Sequence, residues 1–191
     1  MRLLSVPEAM KAFLSTMLVC LAVHLATAEP QCDLGKQIVD KVDNKITDGI
    51  WKTKYVKPKN FSDEVGRCWM DIYTPISNGK SYKLASYTSP KNGEIIKSIA
   101  SVQLVENRNM KMTFLNSTPE FSGFSGIYHI LAWDEDEGYY IAGGCPTVLK
   151  NEPVVWIAYR QYPPSEDSLE ASKAALKKTG LKLEDFHEHC E

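Results

Sequence analysis

Two short stretches decide the reading of this chain. Gly49-Ile50-Trp51 opens its strand-rich part, and Trp156-Ile157-Ala158-Tyr159-Arg160 closes it. Between them apolar and polar residues alternate with a period of two, as half-buried strands do. In a closed antiparallel barrel the first and last strands are neighbours. The Arg160 guanidinium can then lie over the Trp51 indole and seal one end. The spacing predicts strands over Ile50 to Val56, Arg67 to Tyr73, Ser81 to Tyr87 and Ile95 to Leu104. Four more are expected over Met110 to Leu115, Gly126 to Trp133, Tyr139 to Cys145 and Val154 to Tyr159. Turn residues such as Ser77-Asn78-Gly79 and Pro90-Lys91-Asn92-Gly93 separate them. The expected fold is all-β with flanking helices: an eight-stranded up-and-down antiparallel barrel and a C-terminal α-helix. Closure of such a barrel leaves no sheet edge exposed.

Outside the strands the period changes. Leu34, Ile38, Val39 and Val42 recur at helical spacing after Cys32. Pro163-Pro164 stops the sheet, Ser165-Glu166-Asp167-Ser168 offers a cap with acids in the first turn, and Gly180 ends the helix that follows. Leu169, Ser172, Ala175 and Leu176 share one face of it, to lie on the barrel wall, and Leu181, Leu183 and Phe186 pack back behind.

Residues 1–28 read as a secretion signal. Arg2 and Lys11 form its positive flank, Ala12 to Leu25 is apolar, and Ala26-Thr27-Ala28 is a small-residue cleavage site. Residues 29–191 then form a single secreted, extracellular domain with no membrane anchor. Cleavage removes Cys20 and leaves Cys32, Cys68, Cys145 and Cys190, which in an oxidising compartment read as two disulfides with three possible connectivities. None is spaced as a CxxC pair, so no metal or redox site is expected. The net charge of −2, with scattered Lys and Arg, makes nucleic acid a poor partner. Asn60 and Asn116 stand in glycosylation sequons. Enzymatic fingerprints such as a nucleophile elbow, a Walker loop or a zinc motif are missing.

The run NGKSYKLASYTSP from Asn78 to Pro90 resembles the strand and turn of nitrophorins and their biogenic-amine-binding relatives, lipocalins of triatomine bug saliva. KAALKKTGLKLEDF, from Lys173 to Phe186, is similar to the helix and post-helix turn of the amine binders. The WIAYR run and proline pair also resemble apolipoprotein D and the insect bilin carriers. The resemblance covers essentially the whole mature chain. It implies disulfides Cys32-Cys145 and Cys68-Cys190. It also implies a heme-ligating position at Tyr87, where nitrophorins have histidine. A neutral phenol is a poor iron ligand, so heme is disfavoured and no cofactor is expected.

Strand parity supplies an inward list: Trp51, Thr53 and Tyr55 on the first strand, Trp69, Asp71 and Tyr73 on the second, and Ala142 and Gly144 on the seventh. Tyr128 matches a buried nitrophorin tyrosine, which turns Ile130 and Ala132 inward with it. Small residues at 142 and 144 would leave room for a ligand. Tyr55, Trp69, Asp71, Tyr87, Tyr128 and Ile130 are the candidate ligand contacts. Asp71 carries the chemical information, since a carboxylate among aromatics is costly unless paired. A protonated amine would pair it; tyrosine hydroxyls or water at the closed end would do so without a ligand. His187 and His189 read as a solvated tail.

The resemblance implies a monomeric salivary scavenger that binds a biogenic amine, an adenine nucleotide or an eicosanoid and so inhibits haemostasis or inflammation. The alternatives are an insect carrier of a pigment or hydrophobic ligand, and a lipocalin that inhibits a host plasma protein through its loops.

Overall fold

A computed structural model describes residues 32–75, 77–115 and 119–190. The expected leader and Asn116 lie outside the described residues. Eight strands run antiparallel in sequence order: β1 (Gly49–Lys57), β2 (Arg67–Tyr73), β3 (Ser81–Thr88), β4 (Ile95–Val105), β5 (Asn109–Phe114), β6 (Gly126–Asp134), β7 (Tyr139–Gly144) and β8 (Val154–Tyr159). Each pairs with the next, and β1 pairs with both β8 and β2 to close the barrel. Observed ends match the expected ones to within a residue, because Gly, Asn and Pro turns punctuate the alternation.

Two short helices, α1 (Phe61–Glu64) and α2 (Pro119–Ser122), sit in loops at one end, the open end. Helix α3 (Glu166–Thr179) lies across β6 and β7. Ser165 caps it by accepting from the Ser168 amide, and Gly180 ends it at φ 87°, a backbone state that favours glycine. Ser172 is buried on the helix face because its hydroxyl meets Tyr159 Oη at 2.7 Å. No helix among the described residues is long and apolar enough to cross a membrane.

The closed end is sealed as the sequence suggests. The Arg160 guanidinium carbon lies 4.2 Å from the Trp51 ring centroid, and the side chain donates to the carbonyls of Asp48 and Lys45. The segment around Leu34, Ile38, Val39 and Val42 is not a helix but an irregular strap. Three of its amides bond outward, Lys36 to the Thr179 carbonyl, Ile38 to that of Leu131 and Val42 to that of Asn107, which takes them out of any internal helical ladder. Leu34 and Ile38 join the layer under α3, while Val39 and Val42 cover the barrel end. Disulfides Cys32–Cys145 and Cys68–Cys190 bind the strap and the tail to the barrel.

Candidate functional site

Aromatic side chains pack the barrel interior in two layers. The lower layer holds Trp51, Tyr73, Tyr140 and Ile130, and the upper holds Phe61, Tyr87, Phe114, Phe121 and Phe124. A cavity of ≈ 50 Å³ lies between them, lined by Thr53, Trp69, Met112, Tyr128, Trp156 and their neighbours. Phe61 arrives on α1 and Phe124 on the loop before β6, so loop residues roof the space. Trp69 and Tyr87 stack at 4.8 Å and 11°. A Cβ on Gly66 would come within 2.0 Å of the Tyr87 ring, so only bare backbone fits against that ring at this position.

One ion pair sits among these rings. Lys83 Nζ lies 2.9 Å from Asp71 Oδ2, and both residues are buried. The ammonium also lies 5.7 Å from the Tyr73 ring centroid and 5.8 Å from that of Phe114, within cation–π range. Burial pushes the Tyr73, Tyr128 and Tyr140 hydroxyls well above the usual phenol range, and the Asp71 charge adds to the shift. All three stay neutral. Asp71 Oδ1 has no hydrogen-bond partner among the described residues.

The wall near the open end has an unexpected component. β1 pairs with β2 only from Gly49 to Lys52, and beyond that the two strands part. The C-terminal tail fills the gap as β9 (His187–Glu188), paired to Tyr55 and Val56. The His189 amide donates to the Lys54 carbonyl at 2.7 Å, and its own carbonyl accepts from Cys68 N at 3.2 Å. The Cys68–Cys190 bridge holds the insertion in place. His189 is thereby buried and lines the cavity. Ser62 Oγ on α1 hydrogen-bonds His189 Nδ1 at 2.8 Å and also His187 Nε2. Burial, with smaller contributions from His187 and Arg67, lowers the His189 imidazole to about 3, so it is neutral in ordinary conditions.

Of the expected contacts, Trp69, Asp71 and Tyr128 line the cavity, and Tyr87 backs Trp69. Ile130 points inward but is buried in the lower layer, away from the cavity. Tyr55 faces the other way, packing in the layer beneath α3. A bulge between Thr53 and Tyr55 in the β1–β8 register flips the face, and Val56 takes the inward position. A second bulge between Ile130 and Ala132 turns Ala132 outward in the same way. The room expected at Gly144 is taken by the Tyr128 ring, since a Cβ there would lie 2.6 Å from Cδ1. Asp71 finds a counter-charge in Lys83, which the sequence reading did not expect, and the Tyr73 hydroxyl faces the same carboxylate. His187 and His189 are not a solvated tail.

Sequence reasoning missed Lys83 and His189. In β3 the outward Tyr82 and Leu84 are apolar while the inward Ser81 and Lys83 are polar, the reverse of the usual alternation. Cys190 is the signal for His189: a residue one place before a wall-bound cysteine has to lie at the wall.

No protein-family model matches the chain, and a sequence comparison with curated proteins finds no significant relative. Comparison of folds is more informative. The major allergen Per a 4 from cockroaches superposes with a TM-score of 0.67 at 18% identity, over 85% of this chain and 97% of that one. The tryptamine complex of the amine binding protein of Rhodnius prolixus gives 0.63 at 16% identity, over 83% and 85%. Japanin from Rhipicephalus appendiculatus bound to cholesterol gives 0.57 at 12%, over 77% and 95%. The closed eight-stranded barrel, its in-order strand pairing and these neighbours show that the chain has the lipocalin fold, shared with the amine binding protein of Rhodnius prolixus.

Proposed function

We propose that this is a secreted lipocalin that sequesters a small, flat aromatic ligand in the open half of its barrel, and that it acts by scavenging a host mediator. The observation that carries the reading is the aromatic cavity around an already neutralised Asp71–Lys83 pair. Rings select a flat ligand through stacking and edge contacts. The internal ion pair offers no net charge, which removes the main attraction for a bare ammonium or carboxylate. A cationic ligand at Asp71 would have to share it with the Lys83 ammonium. Ligand sites commonly span roughly 300–1,000 Å³, so at ≈ 50 Å³ this one is too small for a ligand as it stands, and entry displaces Phe61 and Phe124 on their loops. Amine and cholesterol binding in the structural neighbours supports cavity use in general. Scavenging needs no turnover, only abundance and affinity.

Tryptophan fluorescence tests this, because Trp69 and Trp156 line the cavity. Purified mature protein is titrated with indole, serotonin, ADP and a leukotriene, after recording its visible absorption. Saturable one-to-one quenching by the indoles, with a colourless protein, is expected. A visible band together with no response to any aromatic would replace this reading with pigment carriage.

A second reading, an outer-surface protein partner, is favoured by one feature. Ile50, Ile72, Leu84 and Ile99 pair in register across β1 to β4, and all four are exposed. Leu115, bonded through its amide to the Ile99 carbonyl, extends the row. Contiguous exposed aliphatics of this kind often mark contact surfaces.

A further inference from the structure

We infer that a cleft on the outer wall, where β1 and β2 part, is a second binding site, and that it takes a small organic carboxylate with an apolar body. This goes beyond the barrel-binding reading and stands independently of it, since the two sites differ in size and in charge.

The cleft follows from the strand pairing. β1 and β2 stay paired only as far as Lys52 and Met70. Further along, the His189 backbone bridges Lys54 and Cys68, and the Cys68–Cys190 disulfide clips it there. Between these two closures the wall is spanned by side chains, and a hollow of ≈ 390 Å³ opens on the outside. That lies in the range of roughly 300–1,000 Å³ common for ligand sites, whereas the inner cavity is ≈ 50 Å³. The stacked rings of Trp69 and Tyr87 form its floor together with the disulfide. Tyr162 makes one side, its hydroxyl donating to the Cys190 carbonyl at 2.7 Å, and Met70 and Ile95 add apolar surface.

The charge at this cleft has one sign. Lys52, Met70, Ser86 and Lys97 are register partners across β1 to β4, so a lysine stands at each end of one row. The ends are three strand spacings apart, roughly 14 Å, and the flexible stem of each lysine lets its ammonium turn towards the middle. Lys52 Nζ already lies 5.5 Å from the Tyr162 ring centroid. Neither lysine forms an ion pair among the described residues. No acidic side chain lines the cleft. Glu188 and Asp63, on the neighbouring tail and loop, are held by Lys54 and Arg67. Glu94 precedes Ile95 in the chain but does not line the hollow. Two cations over an apolar floor, with no anion between them, select a negative ligand. Exposed ion pairs are individually weak, so the floor supplies most of the affinity and the lysines decide the charge. A cationic ligand would meet repulsion from both ends, and an inorganic anion would leave the rings uncovered.

The test uses the mature, disulfide-bonded protein and a matched pair, 4-phenylbutyrate and 4-phenylbutanamide, in which a neutral amide replaces the carboxylate. Calorimetric titration at low salt should show the acid binding about tenfold tighter, the factor two exposed ion pairs together give, and the preference should shrink as salt is added. In methyl spectra Met70 should shift saturably with the acid while Met112, in the inner cavity, stays in place. Lys97→Gln should cut the preference, and Lys52→Gln with Lys97→Gln should abolish it while quenching by indole persists. Equal affinity for acid and amide, binding of neither, or a preference that survives in both variants would overturn the inference. So would a shift of Met112 with Met70 stationary. Indole binding inside the barrel is untouched by those results and fails only if indole leaves the wild-type fluorescence unchanged.

Discussion

Asp71 and Lys83 show how much one side chain can change an account of recognition. Strand parity places Asp71 inside, and the structure agrees; parity equally places Lys83 inside, but its apolar neighbours Tyr82 and Leu84 mask that in the sequence. The pair has direct consequences for stability. Removing one member strands the other as a buried charge, which costs about 3–5 kcal/mol, whereas replacing both by apolar residues of similar volume is often neutral or stabilising. Lys83→Met alone should therefore destabilise the protein by that amount, and Asp71→Leu with Lys83→Met should return most of it. Chemical denaturation of the two single variants and the double variant measures the coupling. Additive losses would mean that the two charges do not depend on each other.

Among the elements, the tail is the one with a built-in pH dependence. Folding lowers His189 to about 3 from an ordinary 6.5, because burial disfavours the imidazolium. The unfolded chain takes up its proton below about pH 6.5 and the folded one only near pH 3, so the unfolded state gains protons first. Stability from this group is complete above pH 6.5 and falls as the pH drops towards 3, by at most about 1.4 kcal/mol per unit. His187, also lowered by burial, adds to the slope in the same direction. Thermal melts of wild type and His189→Phe between pH 7 and 4 should diverge, the variant losing less. Parallel curves would place His189 in water.

Legibility also varies by element. Helix α3 was readable because its cap, acidic first turn and terminal glycine are local signals. The N-terminal strap was not, since its helical spacing arises from two sets of contacts, one under α3 and one over the barrel end. The bulges in β1 and β6 leave no local mark in the sequence, and each moved one expected wall residue, Tyr55 and Ala132, to the outer face.

At the scale of the whole molecule, the barrel follows from punctuation: strands of six to eleven residues separated by turn residues admit a meander, and Trp51 over Arg160 closes it. Both disulfides pair as the family resemblance implied. Their sequence separations of 113 and 122 residues constrain almost the whole unfolded chain, for which the chain-entropy model gives about 4–5 kcal/mol each. The cavity is less legible, because its size depends on how long-range neighbours such as Tyr128 and Phe124 fill it.

Three methionines report on whether ligand enters the barrel. Met112 lines the cavity and Met110 is fully buried beside it, whereas Met70 faces a cleft on the outer wall. Methyl spectra of protein labelled at the methionine methyl carbon, recorded during titration with 5-hydroxyindole, separate inside from outside. Binding inside the barrel gives a large, saturable shift of Met112, a smaller one of Met110 and a stationary Met70. A shift of Met70 with Met112 unmoved would put the ligand on the outer wall and contradict it.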